Sequence, residues 1–157
     1  MTATHTLAHV YVLAGHPEKA VPLSRKLLEQ SRELTDVRLE GLALGVLGDA
    51  YHALGRYHDA AEVLSEALPI FRDHANRFYH GLCLEKIGNA YQRMGQYQHA
   101  ARYLEDGLAV FQKLRLHHYE QRAREALEHC LATGSNGRRR LYPATGNTAP
   151  TLSSTEC

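Results

Sequence analysis

One phrase recurs along this chain at a spacing of 40 residues, and that period constrains the fold more than any single residue does. The middle copy reads Leu47-Gly48-Asp49-Ala50-Tyr51, then Leu54-Gly55-Arg56-Tyr57-His58-Asp59-Ala60. The next reads Ile87-Gly88-Asn89-Ala90-Tyr91, then Met94-Gly95-Gln96-Tyr97-Gln98-His99-Ala100. Forty positions before the middle copy stand Leu7, Ala8, Tyr11, Leu13-Ala14-Gly15 and Ala20, a rougher version of the same phrase. Units of this size bury their apolar faces against their neighbours, so the period points to a stack of supersecondary units rather than one globular core.

Each unit reads as two helices. Leu42, Leu44, Leu47, Ala50, Tyr51 and Leu54 return to one broad face at three- and four-residue steps, and Gly55 ends that helix. Tyr57, Ala60, Ala61, Leu64, Ala67, Leu68 and Phe71 form the apolar stripe of the second helix, and Asp73-His74-Ala75-Asn76 links it to the next unit. Leu82, Leu84, Ile87, Ala90, Tyr91 and Met94, then Tyr97, Ala100, Ala101, Leu104, Leu108 and Phe111, repeat the plan. In the first unit Pro17 suits an opening turn, whereas Pro22 predicts a kink or a late start. The boundaries fall at about 1–36, 37–76 and 77–116, with a final unpaired helix over 117–132 that closes the stack. The repeat domain is therefore 1–132. Thr133-Gly134-Ser135-Asn136-Gly137 reads as a helix stop, and the Thr-, Ser-, Gly- and Pro-rich remainder makes 133–157 a disordered tail.

Charge and cysteine content exclude several classes. The chain has 18 basic and 17 acidic residues, and the tail holds Arg138, Arg139 and Arg140 against one acid. The repeat body carries no field of one sign to steer nucleic acid. Cys83, Cys130 and Cys157 are scattered, and the first two fall on apolar helical stretches as small core residues rather than a disulfide or zinc set. No apolar run reaches the length of a membrane span, and Met1-Thr2-Ala3-Thr4-His5 is unlike a secretory signal, so a cytoplasmic location is the expectation.

The pattern Leu-Gly-x-x-Tyr, followed by Ala after nine residues and Ala after seven more, resembles the tetratricopeptide repeat (TPR) signature. Leu44, Leu47, Gly48, Tyr51, Ala60, Leu64 and Ala67 match it, as do Leu84, Ile87, Gly88, Tyr91, Ala100 and Leu104, with Gly107 in place of the last Ala. The resemblance implies an all-α, right-handed α-solenoid of TPR helical hairpins with a closing C-terminal helix. It also implies non-catalytic binding of a protein or peptide in the concave groove, without a cofactor. The 40-residue form, longer than the usual 34, resembles the C-terminal arrays of actinobacterial regulators that carry NB-ARC (STAND-type) modules. That likeness implies a part of a bacterial signalling or transcription-regulatory protein, or a sensor array relaying a signal peptide to an effector. No phosphate-loop motif accompanies it. The short first helix suggests a piece of a longer array and self-association through open repeat ends.

In this phase the first helices line the groove, and its candidate residues are His9, Asp49, His52, Glu85, Asn89, Gln92, Arg93, Arg122 and Glu125. Asp49 and Glu85 face the groove as charges that select a peptide. The carboxylate clamp of chaperone-type repeats needs Lys at the fifth place of a unit, where His5, Gly45, Glu85 and Glu125 stand instead, and this excludes it. His5 and His9 lie one helical turn apart, yet no further ligand converges on them in sequence, so no metal site is expected. No nucleophile elbow or paired-carboxylate spacing suggests an enzyme.

Overall fold

A computed structural model describes residues 3–74 and 76–141, with side chains through residue 134. The described residues form seven helices: α1 (Ala3–Leu13), α2 (Pro17–Glu33), α3 (Val37–Ala53), α4 (Tyr57–Asp73), α5 (Arg77–Arg93), α6 (Tyr97–Leu114) and α7 (His117–Leu141). Each packs chiefly on its neighbours in sequence, so α1–α2, α3–α4 and α5–α6 are successive hairpins with α7 against α6. The first helices also meet one another, α1 with α3 and α5 with α7. No helix of the described residues is long and apolar enough to cross a membrane.

The turn inside a hairpin is set by its glycine. Gly55 sits at φ +74°, and the amides of Gly55 and Arg56 bond back to the carbonyls of His52 and Tyr51. This double bond satisfies carbonyls left over at the end of α3 and reverses the chain in two residues. Gly15 and Gly95 do the same for the other hairpins. Between hairpins the next helix is started by a side chain. Asp36 accepts the Leu39 amide at 3.0 Å, and Asn76 accepts that of Tyr79 at 3.4 Å. Each cap occupies an amide that the helix itself cannot satisfy.

Packing within a hairpin depends on missing side chains. A Cβ on Gly48 would lie 2.5 Å from Leu64 Cγ, and one on Gly88 would lie 2.7 Å from Leu104 Cγ. Leu64 and Leu104 thus seat directly on the backbone of the facing helix, and both are essentially fully buried. Around these seats lies an apolar core that runs from α3 through α6, with Leu44, Ala67, Phe71, Ile87, Ala90 and Phe111 among its members. Aromatic pairs carry it across the unit boundaries. Phe71 stacks on Tyr79 with centroids 5.1 Å apart, and Phe111 meets Tyr119 at 5.2 Å.

Two expectations need correction. α7 does not stop at Ala132 but continues through Gly134 and Gly137 to Leu141. An interior glycine costs a helix only about 1 kcal/mol relative to alanine, and Gly134 marks a close approach, since a Cβ there would lie 3.3 Å from Tyr97 Cβ. The part of the tail from 142 on lies outside the described residues. Likewise α2 begins at Pro17 and continues through Pro22, so there is no late start.

The seat at Gly48 makes a direct prediction. Gly48→Ala should destabilise the fold by roughly 1–2 kcal/mol, as overpacking of a tight core does, despite the better helix propensity of alanine. Denaturant unfolding of Gly48→Ala with and without Leu64→Ala checks this: the penalty of the alanine should vanish once Leu64 is shortened.

A groove along the first helices

The first helices of successive hairpins lie side by side, and the residues that meet across them are 37 positions apart in sequence. Lys86 of α5 pairs with Asp49 of α3 at 2.6 Å. Arg122 of α7 grips Glu85 of α5 side-on, its Nε and Nη2 each donating to one carboxylate oxygen at 2.5 Å. Farther along, the side-chain amide of Gln92 meets His129 Nδ1 at 2.7 Å. The offset is one helical turn short of the 40-residue repeat, which is how far a neighbouring helix is shifted when its flank faces the next.

Two neighbouring cavities open on this row. The smaller, of about 140 Å³, is walled by α1, α3, α4 and α5 and is lined mainly by apolar groups, among them Leu42, Gly45, Phe71, Leu82 and Cys83. Burial pushes the Cys83 thiol up to about 12, so it lines this wall as a neutral group. The larger, of about 420 Å³, reaches α7 and presents His9, Asp49, His52, Glu85, Asn89 and Arg122 beside Val12 and Leu13. His9, Asp49 and Lys86 belong to both.

Of the nine residues assigned to the groove from sequence, six therefore line the larger cavity. Gln92, Arg93 and Glu125 line neither. Gln92 is taken up by His129, Arg93 donates to the Tyr57 hydroxyl at 3.0 Å and lies over its ring, and Glu125 accepts from Gln121 at 2.9 Å. The charges also play a different part from the one expected. Asp49 and Glu85 do not face a ligand as bare carboxylates, because each is neutralised by a cation on the next first helix. Glu85 is 1% exposed, and its hydrogen bond raises the pKa of Arg122 against the effect of burial. Lys86 went unnoticed in the sequence reading. Its signal was an opposite charge 37 residues after Asp49, matched by Arg122 after Glu85.

His52 lines the larger cavity. Its Nε2 is buried without a hydrogen-bond partner among the described residues, while its ring meets Tyr57 edge-on at 5.1 Å. Burial, then the Arg93 charge, lowers its pKa, with Asp49 opposing. The neutral imidazole is thus favoured at His52, and its buried Nε2 has no hydrogen-bond partner among the described residues. His5 and His9 stack their rings in parallel at 6.5 Å instead of converging on a common point. The ligand-type groups that do converge, His58, Asp59 and Glu62, lie at the start of α4 away from the groove, and Asp59 is already bonded to Arg56.

The Glu85–Arg122 pair allows a stability test. Removing one partner of a fully buried pair costs about 3–5 kcal/mol, because the other charge is left without water or counter-ion. Arg122 is 47% exposed, so solvent screens its side of the pair and the cost of Arg122→Ala should fall to about 2 kcal/mol. Chemical denaturation of Arg122→Ala, Glu85→Gln and the double variant should show the double costing clearly less than the two singles together.

Comparison with known proteins bears on the fold. Residues 1–73 and 82–115 match tetratricopeptide repeat family profiles. Comparison with curated proteins gave no match. Among solved structures, the apo form of RapI superposes with a TM-score of 0.78 at 17% identity, over 88% of this chain and 50% of that one. A signal transduction ATPase with numerous domains (STAND) protein with a tetratricopeptide repeat sensor, from Pyrococcus horikoshii, gives 0.66 at 22% identity, over 82% of this chain and 22% of that one. A Podosopora anserina putative kinesin light chain with nearly identical TPR-like repeats gives 0.62 at 22% identity, over 90% and 78%. This chain thus spans half the length of RapI and less than a quarter of the STAND protein. Profiles matched over more than half of its length, on an all-α array of glycine-seated hairpins, place the chain in the tetratricopeptide repeat family.

Proposed function

We propose that this chain is a non-catalytic protein- or peptide-binding module that takes its ligand along the row of first helices. Tetratricopeptide repeats are in general interaction scaffolds, and the specificity of a scaffold lies in its site rather than its fold. The observation that carries the reading is the larger cavity. It offers Asn89, His9 and the ring of His52 between two ion pairs that are each internally satisfied. Polar atoms placed to orient a ligand, within a surface of no net charge, suit an extended peptide segment held by hydrogen bonds and apolar contact. Such a module fits a bacterial signalling or transcription-regulatory protein. The STAND protein, whose repeats are named a sensor, is a precedent for that arrangement.

A random peptide library displayed on phage, selected against the whole chain, tests the groove. Asn89→Ala and His52→Ala should each weaken the selected peptides about tenfold or more, with thermal unfolding unchanged within a few degrees. Peptides that bind both variants as tightly as the wild type would place the interaction elsewhere.

A second reading, self-association, is favoured by the free face of α1. Leu7 and Val10 are 45% and 50% exposed, whereas Leu47, Ala50, Ile87 and Ala90, at equivalent positions, are 3% or less. In the later units this face is covered by the second helix of the preceding hairpin, so the face of α1 continues an interface already used twice. On this reading a second copy covers it. Sedimentation should then show a dimer or larger species that Leu7→Glu with Val10→Glu converts to monomer; a wild type that stays monomeric at several hundred micromolar sinks the idea.

A further inference from the structure

Glycine inside a helix is less stable than alanine, so each interior glycine calls for a reason. For Gly41, Gly48, Gly81 and Gly88 the reason is packing, because a Cβ at any of them would come within 3.0 Å of a neighbouring side chain. Gly45 has none of this kind. A Cβ built there meets nothing within 4 Å. The space it leaves is the smaller cavity, whose wall it forms opposite Leu82 on α5.

The next repeat shows what that space otherwise holds. Forty residues on, the equivalent of Gly45 is Glu85, which fills its place with the ion pair to Arg122. The equivalent rung in the middle repeat is Gly45 facing Leu82, with the second side of the rung apolar and the first side absent. At this rung an ion pair closes the interval between α5 and α7, whereas the pocket occupies the interval between α3 and α5.

We propose that this pocket takes an uncharged apolar side chain, of leucine or phenylalanine size, from the peptide or protein segment bound in the groove; the inference rests on the groove reading above. Size fits: a cavity of about 150 Å³ lined by apolar side chains accommodates a benzene-sized group, and this one measures about 140 Å³. Chemistry fits as well. Phe71, Leu82, Leu42 and the Cys83 thiol supply apolar wall beside the imidazoles of His5 and His9, and the two lining charges, Asp49 and Lys86, already hold each other at 2.6 Å. A charged side chain entering here would lose its water and find no free counter-charge. A neutral apolar one gives up nothing and removes apolar wall from water. From the pocket, the ligand backbone would run past Asn89 and His52, since the two cavities are neighbours that share His9, Asp49 and Lys86 in their linings.

Gly45→Leu is the decisive variant, because a Cβ at this position meets no neighbour and the longer side chain would occupy the space that Gly45 leaves. The probes are N-acetyl-leucinamide and N-acetyl-phenylalaninamide, with N-acetyl-glutaminamide as a polar control, titrated into the whole chain and followed by amide NMR. The apolar probes should give saturable shifts at Leu42, Gly45, Leu82 and Cys83 in the millimolar range, and the control none. Gly45→Leu should abolish those shifts with a melting temperature equal to or above that of the wild type. Absence of saturable shifts, an equal response to the control, or persistence of the shifts in Gly45→Leu overturns the proposal. A lowered melting temperature of Gly45→Leu, or of the smaller Gly45→Ala, would do so too, since it would mean that the space is not empty. The peptides selected on phage separate this inference from its parent. They should carry a leucine- or phenylalanine-like residue and lose tenfold or more in affinity for Gly45→Leu. Peptides that depend on Asn89 but bind Gly45→Leu unchanged would sink the apolar anchor and leave the groove reading standing. Apolar probes that enter the pocket when no selected peptide depends on Asn89 or His52 would do the reverse.

Discussion

Everything in this molecule depends on how close two antiparallel helices can come where a side chain is missing. Leu64 rests on Gly48 and Leu104 on Gly88, at distances where even one methyl group has no room. Interiors of proteins are packed at crystal-like density, so such a contact fixes both the separation and the rotation of the helices that make it. With the second helix drawn in on one side, the opposite flank of each first helix is turned toward the next unit. The row of first helices, and the groove along it, follow from the hairpin contact on the other side of the same helix.

The ion pairs along that row have a meaning beyond their strength. A buried pair contributes little net stability over an apolar contact of the same shape, because each ion must first give up its water. Its sharper effect is on alignment. Glu85 has no solvent of its own, and a first helix slipped by one turn would separate it from Arg122. The offset of 37 residues is shared by Asp49–Lys86, Glu85–Arg122 and Gln92–His129, so three polar contacts hold the same register.

Much of this was legible in the sequence. The period, the alternating helices, the hairpin turns at Gly15, Gly55 and Gly95, and the small seats at Gly48 and Gly88 are local or strictly repeated features, and repetition amplifies a weak local signal. What escaped was relational. Asp49 and Glu85 look like free charges when a unit is read alone, and their partners become visible only when the one-turn offset between helices is known. Arg93 fell on the lining face by phase, yet its long side chain reaches sideways to Tyr57. Gly134 carried the composition of a stop signal, and here the same residue type accommodates a neighbour while the helix runs on. The empty place at Gly45 could not be seen either, because a helical glycine that is packed and one that is not are spelled alike.

The two kinds of turn are unequal in one further respect. Inside the hairpins the left-handed residue is glycine, which adopts that conformation freely. At two of the joints between units it is Thr35 at φ 51° and Arg115 at φ 56°, in the same hydrogen-bonded geometry. A residue with a Cβ pays roughly 1 kcal/mol to stand there. Among the described residues, the relaxed left-handed positions therefore lie within the units, and the two that carry this cost lie between α2 and α3 and between α6 and α7.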